Sequence, residues 1–364
     1  MDVSLSEAPS RRDISALPGP AGRIRSTIRL MKRPYESYAL WQQQFGKTFL
    51  VRALNGDVVV TCNTENIRRV LAARHDEISQ FAIGTISPLI GENSVILVSG
   101  QRHRRARNML MPPFHGEALR SSIGVMETIA DRVVADWKPG DRVTVMDASL
   151  DFSLAVIIQV VFGVQDPERV EAFKVAVKRY VRSFKPIFAF TKFFQKRWLP
   201  AWNKFLAEKQ AFNQLLDEQI ARGKADPEGQ HGMLSMLLAA RDEEGQPLSD
   251  DELREQLITM LFAGHETTQI AIAWAMSWLH RTPDSLVRVR EEINDSADLQ
   301  ECLKSEYLHG VCQEALRLNP VVSDFLRVMQ IPFELEELTL PAGSTVGVLS
   351  VNVHYDPEIS PDPQ

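Results

Sequence analysis

The longest stretch of helical hydrophobic spacing in this chain covers residues 253–279, and a polar segment interrupts it. Apolar side chains point in nearly every direction around the predicted helix on both sides of residues 263–268. Such all-round apolarity is typical of an interior helix. The interrupting residues are Ala-Gly-His-Glu-Thr-Thr. In a buried helix a glycine and a carboxylate each carry a free-energy cost. The pattern therefore indicates that this segment has a purpose beyond packing.

Capping signals mark both ends of the helix. Ser249 and Asp250 stand ahead of an acidic first turn that includes Glu252, and Arg281-Thr282-Pro283 supplies a stop. Because polar residues break the apolar run where a membrane span would be most hydrophobic, the pattern does not predict a span.

Elsewhere the chain alternates between helical periodicity and short β-rich runs. Residues 48–54 and 57–62 are β-rich and are joined by Asn55-Gly56, a strong hairpin signal. Residues 325–330 and 345–351 also predict strands. Further helices are predicted near residues 116–137, 152–162, 167–183, 198–222, 232–241, 283–294 and 305–318. We therefore predict a mainly α fold with small β-sheets (α+β), in which strands from both ends of the chain could pair in one sheet.

Composition and charge limit the function classes without naming one. The 364 residues, 44% hydrophobic and 24% charged, are enough to bury a large core. We expect a flexible tail at residues 1–16 and a single domain over residues 17–364. The net charge of -6 argues against a general nucleic-acid binder.

The amino terminus and the cysteines point to a cytoplasmic protein. No apolar signal segment follows Arg11 and Arg12, so neither a signal peptide nor a membrane anchor is expected. Cys62, Cys302 and Cys312 show no CxxC spacing, which argues against a disulfide framework and a zinc ribbon.

Two interpretations of the polar segment stay open from the residues alone. Ala263 and Gly264 would let a ligand approach the backbone, while Glu266 and the neighbouring hydroxyls could relay protons. Alternatively, Glu266 pairs with a buried arginine and the threonines bond back to the preceding turn. The segment also begins like the H-E-x-x-H zinc helix, but Gln269 replaces the second histidine, which leaves a zinc hydrolase as an alternative from another class.

Three further sets of charged residues could bind ligands or simply face water. His103 and Arg107 are four residues apart, so they share one face of a helix and suit an anion; a solvated basic face is the alternative. Glu314 and Arg317 form an i,i+3 pair that would fix local geometry if buried. Arg327, inside a β-rich run, either binds an anionic ligand or points to solvent.

Taken in this order, the residues resemble the cytochrome P450 family. The segment from Ala263 to Thr268 is similar to its oxygen-binding helix motif, (A/G)-G-x-(D/E)-T-(T/S), at every defined position. Glu314-x-x-Arg317 is similar to the E-x-x-R helix of the family. His103-x-x-x-Arg107 resembles the bacterial version of the helix that holds a haem propionate. The resemblance covers about residues 17 to 364.

The resemblance implies a monooxygenase with haem b, which uses O₂ and two electrons to insert one oxygen atom into an apolar small molecule. Ala263, Gly264 and Thr268 would lie against the cofactor and its oxygen. Thr267 would hydrogen-bond oxygen at the iron, and Glu266 would help bring protons.

The remaining motif residues would hold the cofactor in place. His103, Arg107 and Arg327 would pair with the haem propionates through charge-assisted contacts. Glu314 and Arg317 would have a structural role.

The resemblance also implies partners. A ferredoxin or flavodoxin-type protein would deliver the electrons, and Arg102, Arg104 and Arg105 could attract it, although a solvated surface is an equal alternative. We expect a monomer. Residues 184–202, rich in phenylalanine, fall where the substrate-facing helices of the family lie and suggest a large apolar substrate such as a fatty acid, terpenoid or steroid; ordinary core packing is the alternative.

The sequence departs from the family at its end. Members of the family bind iron through a cysteine in an F-x-x-G-x-x-x-C loop, and this chain reaches Gln364 before such a loop. None of the three cysteines matches that position, so no metal ligand is assigned. We expect these 364 residues alone to bind haem weakly or not at all, to be poorly stable and to lack activity. A truncated gene, a non-catalytic pseudo-enzyme that binds a ligand or partner, and a split enzyme are the competing explanations.

Overall fold

The chain folds into two compact units, one formed by Met1–Phe81 with Val322–Gln364 and the other by Ala82–Val321. The computed structural model describes residues 14–74, 76–81, 83–116, 120–227, 229, 231–336, 338–356 and 358–359, without the side chain of Phe190. Of the predicted tail, residues 1–13 lie outside the described residues, and Ile14–Ala16 form a 3₁₀ turn. Within the described residues, no helix has both the length and the apolarity that crossing a membrane requires.

The first unit is built on a five-stranded sheet whose strands come from both ends of the chain. These strands are β1 (Thr48–Ala53), β2 (Gly56–Thr61), β3 (Ile78–Gln80), β4 (Asp324–Met329) and β7 (Thr345–Leu349). Their order is β1-β2-β7-β4-β3, and the parallel pairing of β2 with β7 joins the amino-terminal and carboxy-terminal segments. The predicted hairpin and the predicted shared sheet are confirmed.

Shorter elements complete this unit. Two-residue strands β5 (Phe333–Glu334) and β6 (Thr339–Leu340) pair with each other, and the helices are α1 (Arg23–Lys32), α2 (Pro34–Phe45), α3 (Thr64–Ala72) and α16 (Ser350–His354). Strands of two or three residues are too short to show alternation, which explains why β3, β5 and β6 were not predicted. The predicted strand at 345–351 is shorter because α16 begins at Ser350.

The second unit is helical. In chain order its helices are α4 (Ile83–Ile90), α5 (Gly100–Leu110), α6 (Ile123–Val134), α7 (Val145–Val156), α8 (Pro167–Ser183), α9 (Pro186–Phe190), α10 (Pro200–Ala225), α11 (Gly232–Ala239), α12 (Asp250–Arg281), α13 (Pro283–Asp295), α14 (Leu299–Cys302) and α15 (Glu306–Leu318). The predicted fold class, mainly α with small sheets, is confirmed.

Two predicted helices differ from the observed ones. The helix predicted at 116–137 is interrupted by a turn at Ser121 and Ser122, and α6 ends at Val134; residues 117–119 lie outside the described part of the chain. The helix predicted at 152–162 begins earlier, as α7, and ends in a π-helical turn at Ile157–Val161. In this turn the amide of Phe162 donates to the carbonyl of Ile157, five residues back, over 3.0 Å.

An aromatic cluster fills the core of this unit beside α12. Tyr180 stacks on Phe205 and Phe212, with ring centroids 5.8 Å and 5.4 Å apart, and meets the edge of Phe262 at 5.7 Å. Phe188 and Trp202 belong to the same core. For these two residues the structure agrees with the core-packing alternative, because both are buried.

Candidate active site

The polar segment lies inside one unbroken helix, α12, as predicted. Ser249 caps it: the Ser249 hydroxyl accepts a hydrogen bond from the amide of Glu252 at 3.2 Å, and the Glu252 carboxylate accepts one from the amide of Ser249 at 2.9 Å. This reciprocal capping box fixes the start of the helix. The predicted bounds are therefore confirmed to within a few residues.

Burial along α12 differs from the prediction of an interior helix. The first half is buried through Leu253, Leu257, Ile258 and Leu261, but the apolar residues 270–278 are only half-buried. Glu266 is exposed. The argument that Glu266 loses its hydration is therefore wrong, because its face of the helix is not covered by the described residues.

That open face carries the polar groups of the segment. Ala263, Glu266, Thr267 and Ile270 follow the i, i+3, i+4, i+7 spacing of one helical face. The Thr267 hydroxyl donates to the carbonyl of Ala263 over 2.5 Å, which is the back-bond that one of our alternatives described. The other half of that alternative does not hold, since among the described residues Glu266 has no arginine partner. Thr268 is also exposed but projects about 100° away from Thr267 around the helix.

His265 points into the protein instead. Its side chain is buried, and its Nδ1 lies 2.6 Å from the carbonyl of Leu261. Burial lowers the pKa of His265, which favours the neutral ring. Among the described residues, no group of three His, Cys, Asp or Glu side chains is arranged to hold a metal ion. The zinc hydrolase alternative therefore has no support in this part of the chain.

Gly264 provides close approach, but to a side chain of this protein. A Cβ added at Gly264 would lie 2.6 Å from Cδ1 of Ile157, the first residue of the π-helical turn after α7. This contact was not predictable from the sequence, which suggested only that something comes close to the backbone.

The contact between Gly264 and Ile157 leads to a prediction: whether Gly264→Ala stabilises or destabilises the protein depends on the residue at position 157. We expect Gly264→Ala to lower the free energy of unfolding by about 1 kcal/mol, because overpacking outweighs the gain in helix propensity. Ile157→Val removes the Cδ1 methyl, so in that background the same substitution should be neutral or stabilising by up to about 1 kcal/mol. Urea unfolding of the four proteins in the double-mutant cycle measures this, and equal effects in both backgrounds would contradict it.

Helix α5 presents His103 and Arg107 four residues apart, so the predicted shared face is confirmed as helical geometry. His103 is half-buried and Arg107 is exposed. Arg105, however, is engaged within the protein. Its guanidinium donates to Asp242 at 2.7 Å and to Glu252 at 2.8 Å, which ties α5 to the start of α12. The hydrogen bond from Arg105 lowers the pKa of the Asp242 carboxyl.

Polar residues that we did not single out anchor the segment before α5. The Gln256 amide group donates to the carbonyl of Asn93 at 2.6 Å and accepts from the amide of Val95 at 3.0 Å. The buried hydroxyl of Thr259 donates to that of Ser94 at 2.8 Å. The signal was present, because Gln256 and Thr259 are polar residues within the apolar run of α12.

Glu314 and Arg317 form the predicted pair on α15. Arg317 donates from Nε and Nη2 to the two carboxylate oxygens of Glu314, each over 2.7 Å, and this contact lowers the pKa of Glu314. The Glu314 side chain is 55% exposed, so its ion pair with Arg317 adds little to stability.

Arg327 lies in the first unit, on β4. Its Nη1 donates to the carbonyl of Leu326 at 3.0 Å. The residue is half-buried, and this burial lowers its pKa. One of the two alternatives was that Arg327 points to solvent, and the structure leaves it only partly exposed.

The cysteines differ in burial. Cys62 directly follows β2 in the chain and is buried. Burial raises its pKa to about 11, which keeps it a thiol at neutral pH. Cys302 lies at the end of α14, and Cys312 is an exposed residue of α15.

Comparisons with known proteins agree with one another. The family model described as Cytochrome P450 matches residues 22–364. Cytochrome P450 135B1 of Mycobacterium tuberculosis is 29% identical over 360 residues, which cover 95% of this chain and 74% of that protein. Cytochrome P450 138 of the same species is 26% identical over 328 residues, which cover 88% of this chain and 72% of that protein.

Solved structures give the same result. The retinoic acid bound cyanobacterial CYP120A1 matches with a TM-score of 0.82 at 26% identity, covering 96% of this chain and 80% of that chain. The heme domain of cytochrome P450DA matches with a TM-score of 0.83, covering 95% and 79%, and at 20% identity it shows the fold alone. The match of the family model over nearly the whole chain decides the matter: this chain belongs to the cytochrome P450 family.

Proposed function

We propose that this protein is a haem-dependent monooxygenase for an apolar small molecule, in which the open face of α12 handles oxygen and protons. Haem-thiolate monooxygenation is the general activity of the family. The observation that carries the proposal is the exposure of Glu266 beside the Thr267 hydroxyl, on a helix whose first half is buried.

The two side chains suit successive steps of proton delivery. Glu266 is exposed, so its carboxylate can exchange protons with water. The Thr267 hydroxyl donates a hydrogen bond to the Ala263 carbonyl at 2.5 Å. Its oxygen lone pairs can therefore accept a hydrogen bond from a proton donor on the open face. In a relay, the hydroxyl would turn away from the Ala263 carbonyl, accept a proton on its oxygen and release its own proton to an acceptor on the open face, which regenerates the hydroxyl.

The donor set in the second unit fits a haem. Haem is a flat apolar group with two carboxylates; when bound, it supplies the iron at which dioxygen is reduced. The half-buried apolar residues 270–278 of α12 offer apolar contact, and Ala263 and Gly264 have no side chain beyond Cβ to obstruct it. His103 and Arg107 supply hydrogen-bond donors for carboxylates on α5.

Other assigned residues keep their proposed roles on the basis of motif position. Arg327 would pair with a propionate, and Thr268 would contact the cofactor. Glu314 with Arg317 would fix the geometry of α15. The cofactor is proposed to be haem b.

An apolar substrate is proposed from two observations. The structural relative CYP120A1 is described with retinoic acid bound, and retinoic acid is a largely apolar carboxylic acid. In this chain Phe262, one turn before Glu266, is half-buried at the edge of the aromatic cluster. An apolar ligand near the open face would meet this ring.

Electron delivery is proposed to come from a ferredoxin or flavodoxin-type partner. Arg104 is exposed, and Arg102 is exposed while donating to Asn93 at 2.8 Å. Both could face an acidic partner. Arg105 is removed from this set because its charge is paired with Asp242 and Glu252.

Haem affinity tests the assignment of α5. We expect Arg107→Ala to raise the apparent dissociation constant for haem about tenfold or more, because a charged hydrogen bond to a carboxylate is lost. His103→Ala should act in the same direction, and Arg107→Lys should restore part of the affinity. Absorption titration of the protein with haemin provides the measurement.

Arg104→Ala is the matched control for this experiment, since Arg104 is an exposed arginine of the same helix. It should leave the affinity unchanged. Equal weakening by Arg104→Ala would contradict the assignment. Absence of haem uptake even after the chain is extended by the F-x-x-G-x-x-x-C loop of the family would contradict the proposed function.

A further inference from the structure

Helix α1 turns three of its four large apolar side chains away from the protein. Ile24 is 65% exposed, Ile28 48% and Met31 40%, whereas Ser26 and Thr27 are each 1% exposed. A surface helix of a globular protein normally buries its apolar stripe and exposes its polar one. In α1 this relation is largely reversed: only Leu30 packs against the core, and Ile24, Ile28 and Met31 contribute little to the packing of the protein.

Polar contacts hold the inner side of α1 instead. The Thr27 hydroxyl donates to the carbonyl of Arg23 at 2.8 Å and accepts from the amide of Leu54 at 3.0 Å. Arg23 donates to the carbonyl of Ala53 at 3.0 Å and pairs with Asp57 at 2.7 Å. The helix is therefore fixed to the turn between β1 and β2 by polar contacts together with Leu30, without using Ile24, Ile28 or Met31.

The outer side of α1 is divided into two stripes. Ile24, Ile28 and Met31 follow i, i+4, i+7 spacing, so they form an apolar ridge. The side chains of Arg25, Arg29 and Lys32 project about 60–140° further around the helix and form a basic stripe beside it. Leu54, 48% exposed, borders a shallow depression of about 740 Å³ next to the ridge.

The charge of this surface is opposite to that of the protein. The chain has a net charge of -6, yet residues 23–33 contain Arg23, Arg25, Arg29, Lys32 and Arg33 and no acidic residue. Of these, Arg23 is neutralised by Asp57. A concentration of unlike charge beside an apolar ridge favours an anionic and apolar surface as its partner.

We propose that α1 binds the surface of an anionic lipid bilayer. The apolar ridge enters the boundary between headgroups and acyl chains, and the basic stripe contacts the anionic headgroups, which is how interfacial helices bind. Such binding requires no spanning helix. A protein partner fits less well, because a stable interface uses about 20–30 residues on each side and this surface is a single helix face with one neighbouring turn.

Vesicle flotation with the full chain tests the proposal. The protein should float with phosphatidylcholine vesicles that contain phosphatidylglycerol, should float poorly with phosphatidylcholine alone, and should be released by salt. Ile24→Ser combined with Ile28→Ser should lower the partition coefficient about 100-fold. Arg25→Gln combined with Arg29→Gln should lower it about 25-fold on anionic vesicles and remove the preference for them.

Matched controls use apolar residues of similar exposure elsewhere. Val287 and Leu303 are 52% and 57% exposed, so Val287→Ser with Leu303→Ser should leave flotation unchanged. Thermal unfolding verifies that each variant is folded. The proposal is overturned if the wild-type protein does not float with anionic vesicles, if the control loses as much binding as the ridge variant, or if sedimentation shows that the ridge is covered by a second copy of the chain.

Discussion

We expect the Thr267→Ala substitution to lower the rate of product formation about 100-fold while the fold stays intact. The substitution removes the only hydroxyl on the open face formed by Ala263, Glu266, Thr267 and Ile270. It leaves little strain behind, because the Ala263 carbonyl still accepts its helical backbone hydrogen bond within α12. The loss therefore concerns proton transfer rather than folding.

The measurement is product formed per bound haem, with a chemical or protein electron donor and an apolar test substrate. It uses protein extended by the F-x-x-G-x-x-x-C loop of the family, because the 364 residues alone are expected to be inactive. Thr267→Ser keeps the hydroxyl and should retain most of the activity. Glu266→Gln keeps the size of the side chain but cannot release a proton, so it should lower the rate by a similar factor at neutral pH.

Thr128 provides a matched control for the back-bond itself. Its hydroxyl donates to the carbonyl of Gly124 at 2.9 Å on α6, the same i to i-4 contact at another exposed position. Thr128→Ala should leave activity unchanged. If Thr267→Ala and Thr128→Ala behave alike, Thr267 has no part in proton transfer.

We expect a large loss of stability from Gly232→Ala at the start of α11. Gly232 has a φ of +73°, a conformation that disfavours any Cβ, and an added Cβ would lie 2.4 Å from the carbonyl oxygen of Val160 and 3.1 Å from Cα of Gly163. Both obstacles are backbone atoms, which cannot swing aside as a side chain can. We expect a loss of about 2–5 kcal/mol in the free energy of unfolding.

Gly245→Ala separates the two causes. Gly245 has a φ of +77°, but nothing lies within 4 Å of its added Cβ. This variant should lose only the conformational part, about 1–2 kcal/mol. Urea unfolding of both variants gives the comparison. Equal losses of unfolding free energy in Gly232→Ala and Gly245→Ala would contradict the prediction. They would mean that the clash of the added methyl group with the π-helical turn costs nothing.

Sequence reasoning succeeded where one physical signal dominated. Helix α12 was predicted because its apolar run is long and its cap at Ser249 is explicit. The β1–β2 hairpin was predicted because Asn55-Gly56 favours the required turn, and Gly56 indeed has a φ of +131°. The ordered set of motifs gave the family, which the comparisons confirm.

The remaining features depend on contacts between distant segments. Nothing near Arg105 in the sequence shows that Asp242 and Glu252 take its charge, more than 130 residues later. Helix α1 was not predicted although Ile24, Ile28 and Met31 follow helical spacing, and the spacing does not reveal that this face is turned outward. Glu266 was expected to be buried because the residues on both sides of the polar segment are largely apolar, and apolarity alone does not reveal which surface covers a residue.

The π-helical turn at Ile157–Val161 limits which residues can replace Gly264 and Gly232. Ile157 occupies the space that a methyl group at Gly264 would need, and the carbonyl of Val160 occupies the corresponding space at Gly232. Gly264 is thus held by packing within the protein, independently of any ligand. In a lineage that gave up oxygen chemistry, Glu266 and Thr267 would be released to vary, while Gly264 would stay favoured for as long as Ile157 keeps its Cδ1 methyl. Loss of the acid and the threonine would therefore indicate lost chemistry, whereas loss of the glycine would indicate a smaller side chain at position 157.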